Sequence, residues 1–216
     1  MNNIKLYHIW LVFSLIVLTL IGIISLKQPF HGDERHIVET IRLFETHFNF
    51  NTIIDYPEVT PPFFFMFYAL WAKLFGSSIE SLRILTLFIS FITWQLVYYV
   101  FQLFVKKEFH TLLLSITVVI NPYFFGTSVF VFTDMLTIML SLASVISFIK
   151  SKLFLFIIFT ALGILCRQYA VIIPTAILLY SLLNYKSNKD ISKNYFMGSL
   201  LTFLPLVVLF KKKKNI

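Results

Sequence analysis

Residues 8–26 read HIWLVFSLIVLTLIGIISL, 19 positions without a formal charge, bracketed by Lys5 and Lys27. A helix needs about 20 mostly apolar residues to cross the hydrocarbon core of a bilayer. This run is too long for a signal-peptide core, and no small-residue cleavage pattern follows it, so it reads as a retained anchor. The rest of the 216 residues agree: 58% are hydrophobic, 18% aromatic and only 13% charged, with a mean hydropathy of +0.85. Soluble domains carry about 25% charged residues because something must face water. The single cysteine, Cys166, excludes a disulfide scaffold. Hydrophobicity excludes disorder. Half of the +8 charge sits in Lys211 to Lys214, which reads as an anionic-lipid anchor or an incidental tail and gives no basis for nucleic-acid binding. The remaining class is an all-α polytopic membrane protein.

Working outward, residues 27–60 are the one long polar stretch, and six of the ten acids fall between 33 and 58. Within it Ile37, Ile41, Leu43, Phe44 and Phe48 recur at roughly helical spacing, with Glu39, Arg42 and Glu45 between them. The pattern predicts an amphipathic helix on the membrane surface. Residues 61–75 are apolar but span only about 22 Å as a helix, which is short for a crossing and equally suits a re-entrant or interfacial helix. Residues 82–105 are long enough to span. Residues 109–120 form a short run stopped by Asn121-Pro122, and 129–149 can span. The 153–183 run is interrupted by Arg167-Gln168 and by Pro174, and reads as two helices meeting at a polar turn. Residues 195–210 are the last candidate. Lys106/Lys107, Lys150/Lys152 and Lys186/Lys189/Lys193 mark three cytoplasmic loops if positive charge stays inside. The acidic loop, the region before Asp134 and Arg167 then share the opposite face, provided 61–75 does not cross. No repeat or linker divides the chain, which reads as one unit over 1–216 with a basic tail at 211–216.

Four constellations carry possible chemistry. His31-Gly32-Asp33-Glu34-Arg35-His36 follows the first span. Paired acids at a membrane boundary serve as a base, bind a cation or are simply hydrated, and Gly32 permits unusual backbone angles beside them. Asp55-Tyr56-Pro57-Glu58-Val59-Thr60-Pro61-Pro62 leads back into apolar sequence, with the prolines suited to a helix start. Tyr56, Glu58 and Thr60 are left to face a cleft or solvent. Asn121-Pro122-Tyr123-Phe124-Phe125-Gly126 precedes Thr133-Asp134. An acid beside an apolar span costs about 2.5–3.5 kcal/mol on insertion scales and is a functional candidate, although helix capping is an equally simple role. Arg167-Gln168 lies mid-run; arginine matches phosphate geometry, and the plain alternatives are an ion pair with Asp134 or snorkelling to the interface. The histidines show no metal-ligand spacing, and no glycine-rich phosphate loop occurs. No cofactor is expected.

The order of these motifs resembles the N-terminal module of the GT-C class of integral membrane glycosyltransferases, which use polyprenyl-phosphate-linked sugars. The pattern reads GDERH at 32–36, TPPFFF at 60–65, NPYFFG at 121–126 and FTDM at 132–135. Within the class the chain is similar to the dolichyl-phosphate-glucose α-1,2-glucosyltransferases in Asp33-Glu34 with His36, Thr60-Pro61-Pro62, Phe124-Phe125 with Thr133-Asp134, and Arg167-Gln168. It departs at Tyr169, where that family has threonine, and at Gly126, which interrupts the Phe run. The resemblance covers roughly residues 8–185. It implies a GT-C-like module with about seven spanning helices plus interfacial or re-entrant helices in the first loop, truncated relative to the family. It further implies an inverting transfer of sugar from a polyprenyl phosphate to a lipid-linked or surface glycan acceptor, at the non-cytoplasmic membrane face. Asp33 would be the base and Glu34 would orient the acceptor or share the proton. Arg167 would stabilise the departing phosphate, Asp134 would hold Arg167 or face the acceptor, and Gln168, Tyr169 and Tyr123 would bind sugar or phosphate. His36, Tyr56, Glu58 and Thr60 complete the expected substrate-binding set. Membrane lipids are the other expected partners. The competing readings are a transporter, flippase or lipid-binding subunit, and an inactive remnant of a longer transferase.

Overall fold

The computed structural model describes residues 6–56, 58–185, 189–205 and 207, all helical or irregular, with no strand among them. Pro57, Lys186 and the Lys211–Lys214 run lie outside the described residues, as do the side chains of Asp55 and Lys189. Among the described residues two helices are long and apolar enough to cross a membrane: α1 (Leu6–Ser25) and α5 (Ile79–Phe104). They set the frame. The indole of Trp10 donates to the carbonyl of Trp94 at 3.2 Å, and the Arg83 guanidinium reaches the Ser25 carbonyl at 2.6 Å. Trp10 near the start of α1 therefore meets the later part of α5, and Ser25 at its end meets the start of α5. The two helices are antiparallel. Gly22 lets them approach closely, since a Cβ there would stand 2.9 Å from the Leu87 side chain. Small residues serve this purpose between apolar helices, where packing rather than water exclusion drives association.

This pairing constrains the 61–75 segment. The chain leaves α1 and enters α5 at the same end of the bundle, so everything between them begins and finishes there. That segment holds α2 (Glu34–Thr46), α3 (Phe50–Asp55) and α4 (Phe63–Phe75). Helix α4 follows Pro62, whose carbonyl accepts from Met66, and runs alongside the first turns of α5. The Tyr68 hydroxyl bonds that of Thr86 and the Trp71 indole bonds Ser81. It runs antiparallel to α5 and brings the chain back to the start of that helix. The expected amphipathic helix is α2, but its apolar face does not lie open to lipid. Val38, Ile41 and Phe44 are fully buried, and α4 covers them with Phe64, Phe65 and Tyr68. A three-residue spacing makes a stripe that fits a partner helix as well as a bilayer, so the sequence pattern could not choose.

The rest of the chain shuttles between the two ends. Helix α6 (Glu108–Val119) returns from the far end of α5, and α7 (Pro122–Val129) follows, its first turn capped by Asn121 accepting from Tyr123 and Phe124. The expected span over 129–149 starts later, as α8 (Thr133–Ile149), because 130–132 is extended and the Val131 N–H is taken by a side chain described below. Helix α9 (Leu153–Cys166) packs antiparallel on α8, with Ser144 and Thr160 sharing a buried hydroxyl hydrogen bond. After Arg167 a short 3₁₀ turn (Gln168–Val171) opens α10 (Ile172–Leu183), where Pro174 sits harmlessly in the first turn. Helix α11 (Lys189–Leu201) folds back onto α10. Phe148, Tyr180 and Tyr195 meet edge to face at the far end. The far-end connections therefore carry Lys106, Lys107, Lys150 and Lys152, and the opposite end gathers the acidic loop, residues 130–134 and Arg167. Replacing Gly22 by Leu is expected to wedge α1 from α5 and to lower stability by about 1–3 kcal/mol, read as a reduced melting temperature of the purified protein in detergent.

Candidate active site

The site end is organised by a charge that the sequence reading did not single out. Arg83, five residues into α5, is completely buried, and so is Glu34. They pair fork to fork: Nε donates to Glu34 Oε1 at 2.9 Å and Nη2 to Oε2 at 2.5 Å. The remaining guanidinium donors reach the carbonyls of Ser25, Gln28 and Pro29 at 2.6, 2.7 and 3.0 Å. Glu34 in turn accepts from the backbone N–H of His31 at 3.1 Å and of Val131 at 3.0 Å. A buried ion pair persists only when its leftover donors and lone pairs are also satisfied, and here they are. The contacts tie together the end of α1, the start of α2, the start of α5 and the 130–132 segment. Both Glu34 oxygens are occupied by the protein, which leaves this acid positioning the loop rather than meeting an acceptor. The signal for Arg83 was present: it is a lone arginine within an apolar run, the same signal that marked Arg167.

Asp33 has the opposite environment. It stands just before α2, after Gly32 in a left-handed conformation (φ 54°), and its side chain makes no cap hydrogen bond. It is exposed and lines a cleft of about 410 Å³ with His31, Tyr123, Gly126, Phe130, Asp134 and Arg167. His31 stacks on Phe130 at the cleft edge, with ring centres 4.6 Å apart.

Across the cleft, Asp134 is almost fully buried at the start of α8 and gathers three donors. Arg167 Nη2 reaches Oδ2 at 3.0 Å, while the phenols of Tyr123 and Tyr169 donate to Oδ1 at 2.9 and 3.1 Å. The carboxylate makes no helix cap. Burial first, then the neighbouring Asp134 carboxylate, pushes both phenols above their ordinary range, which keeps them protonated donors. Arg167 is 39% exposed and only its Nη2 bonds Asp134, so part of its fork faces the cleft, while its Nε is buried with no partner among the described residues.

The other expected residues form a second cluster. His36 contacts Glu58 at 2.7 Å, Thr40 donates to the same Glu58 oxygen at 3.2 Å, and the Tyr56 hydroxyl donates to the Thr60 carbonyl. Burial, then Glu58, raises the Tyr56 phenol. Gln168 donates to the Val59 carbonyl at 2.9 Å and so joins the Arg167 corner to this loop. His36, Tyr56, Glu58, Thr60 and Gln168 thus hold the loop beside the cleft and do not line it. Among the described residues no group of three or more His, Cys, Asp or Glu side chains is placed to hold a metal ion.

A helical bundle with a free acid facing an arginine-bearing wall at one end fits a membrane-embedded transferase, and the comparisons agree. The family described as dolichyl-phosphate-mannose-protein mannosyltransferase matches residues 59–210. The chain belongs to that family, within the GT-C glycosyltransferases that use polyprenyl-phosphate sugars and are integral membrane proteins. No curated protein and no solved structure matches the chain significantly. The matched region contains Asp134 and Arg167; Asp33 and Glu34 precede it.

Substituting Arg83 by Met would strand the Glu34 carboxylate in the interior. The expected loss is roughly 3–5 kcal/mol of stability, seen as a lower melting temperature, with partial recovery when Glu34→Gln is added. Tyr169→Phe removes one of the three donors to Asp134 and is expected to raise the donor KM more than it lowers kcat.

Proposed function

We propose that the chain catalyses inverting transfer of a hexose from a polyprenyl-phosphate donor to a hydroxyl of a lipid-linked or surface glycan, at the non-cytoplasmic membrane face. The observation that carries this reading is the cleft itself, where the exposed Asp33 faces the Asp134–Arg167 pair. In a transport path such groups would be spread along a central pore; here they converge at one end, which supports the enzyme reading. The family description names mannose, and the motif order resembles glucosyltransferases, so the two sugars are the donors to compare.

The chemistry is one displacement. The acceptor oxygen attacks the anomeric carbon while Asp33 takes its proton. The bond from that carbon to the phosphate oxygen breaks, the anomeric configuration inverts, and polyprenyl phosphate leaves. Arg167 stabilises the charge gathering on the phosphate through donors not used by Asp134. Asp134, with Tyr123 and Tyr169, fixes the arginine in place beforehand, so little reorganisation is needed during the reaction. Seven passes between the two ends (α1, α5, α6, α8, α9, α10 and α11) are the proposed crossings, with the lysine-bearing loops cytoplasmic. The membrane is the plasma membrane in a bacterium and the endoplasmic reticulum in a eukaryote.

Membranes containing the protein, supplied with polyprenyl-phosphate mannose or glucose, test the reading. Asp33→Asn is expected to reduce transfer by about 10²–10⁴-fold at normal protein levels; unchanged transfer would remove Asp33 as base. Arg167→Ala is expected to weaken donor binding, and a normal donor KM would count against the phosphate role.

A further inference from the structure

A second cavity of about 420 Å³ adjoins the reactive cleft and shares His31, Gly126 and Phe130 with it. Its character differs. Ile21 and Ile24 of α1, Phe30, and Phe125 and Val129 of α7 supply mostly apolar walls. It runs along the outer side of the bundle, where Ile24 is 67% exposed and Phe125 37% exposed. The seam between the two cavities is held open by a missing side chain. A Cβ built on Gly126 meets no atom within 4 Å, although this glycine is helical and has no need of an unusual backbone angle. Gly126 is also the residue that interrupts the local aromatic run, so its smallness answers to no packing contact in the protein itself.

We infer that Gly126 is the gate through which a prenyl chain passes from the reactive cleft into the groove between α1 and α7. The inference rests on the donor reading given above and adds where the lipid lies. A polyprenyl-phosphate sugar has a polar head and a long apolar tail joined at the phosphate. The polar cleft and the apolar groove meet at one seam, and that is the shape such a molecule requires. With the phosphate beside His31 and Arg167, the first isoprene units leave past Gly126 and Phe130 and lie against Ile24 and Val129. The other apolar groove, between α1 and α5 around Leu15 and Phe88, has no contact with the cleft and offers no such continuity.

The test compares a long polyprenyl-phosphate donor with a short, water-soluble one, using the full chain in lipid nanodiscs. Gly126→Leu closes the seam, and Ile24→Trp narrows the groove from an exposed position. Each is expected to lower the long-to-short preference in kcat/KM by about tenfold. Leu15→Trp, in the unconnected groove, is expected to keep the wild-type preference. A polyprenyl phosphate with a photoreactive diazirine near its phosphate is expected to label α1 and α7 peptides, and Gly126→Leu is expected to remove that labelling. Equal loss with both donors would overturn the gate, as would labelling elsewhere or labelling displaced equally by an ordinary phospholipid. If wild-type protein transfers from neither donor, the enzymatic reading fails on its own, and the labelling pattern alone then upholds or overturns the groove. Should Gly126→Leu not fold, Ile24→Trp and the labelling still decide.

Discussion

The Arg83–Glu34 pair is the constraint on which the site end depends. An arginine inside an apolar helix is costly wherever it is left alone. Here it is neutralised by one acid and by three carbonyls at the end of α1. Those carbonyls belong to a chain that has just left its helix and has lost its intrahelical partners. Arg83 satisfies them, and they fix where the acidic loop begins. Glu34 then reaches onward to the Val131 N–H, 97 residues away in sequence, which fixes where α8 can start. One buried charge thus sets the relative position of both cleft walls, Asp33 on one side and Asp134 on the other.

Two ion pairs at this end serve different purposes because they are closed to different degrees. Arg83 and Glu34 are both sealed from solvent, with every oxygen of the acid engaged. Such a pair can hold the fold but cannot respond to a ligand without breaking it. Among the described residues Asp134 and Arg167 share one contact, through Nη2, and the arginine remains partly exposed. That pair is positioned and still has donors to give. The separation explains why an acidic pair adjacent in sequence yields one structural and one reactive candidate. At the start of a helix neighbouring side chains point about 100° apart. When Glu34 turns inward to Arg83, Asp33 turns outward into the cleft.

Much of the architecture was legible in the sequence because its signals are local. The 8–26 run gave α1, Asn121-Pro122 marked the start of α7, and Arg167 marked the corner between α9 and α10. The common end for the acidic loop, Asp134 and Arg167 was legible from the lysines of the loops at the other end. What could not be read depended on partners far away in sequence. The run at 129–149 looked continuous because nothing in Phe130, Val131 and Phe132 forbids a helix; a carboxylate from residue 34 holds them extended. The α2 stripe looked ready for lipid because a covering helix leaves no mark on the stripe it covers. Glu34 looked like its neighbour Asp33 until Arg83 was seen to claim it.

The short helices around the cleft carry a final consequence. Helix α9 has 14 residues, about 21 Å of rise, against roughly 30 Å of hydrocarbon. In the proposed orientation, with Lys150 and Lys152 at one boundary, its other end at Arg167 stops short of the opposite boundary. Helix α4 runs antiparallel to the first turns of α5, with Tyr68 beside Thr86 and Trp71 beside Ser81, and Gln168 bonds Val59 just before it. In the proposed orientation the polar corner is recessed in the apolar layer, beside the loop that His36 and Glu58 hold together. A recess of this kind favours a substrate whose charged group already lives at the edge of the hydrocarbon. In the proposed reaction a phosphate carried on a lipid tail meets Arg167 at that depth without leaving the membrane, whereas a free sugar nucleotide would have to abandon its hydration to reach it.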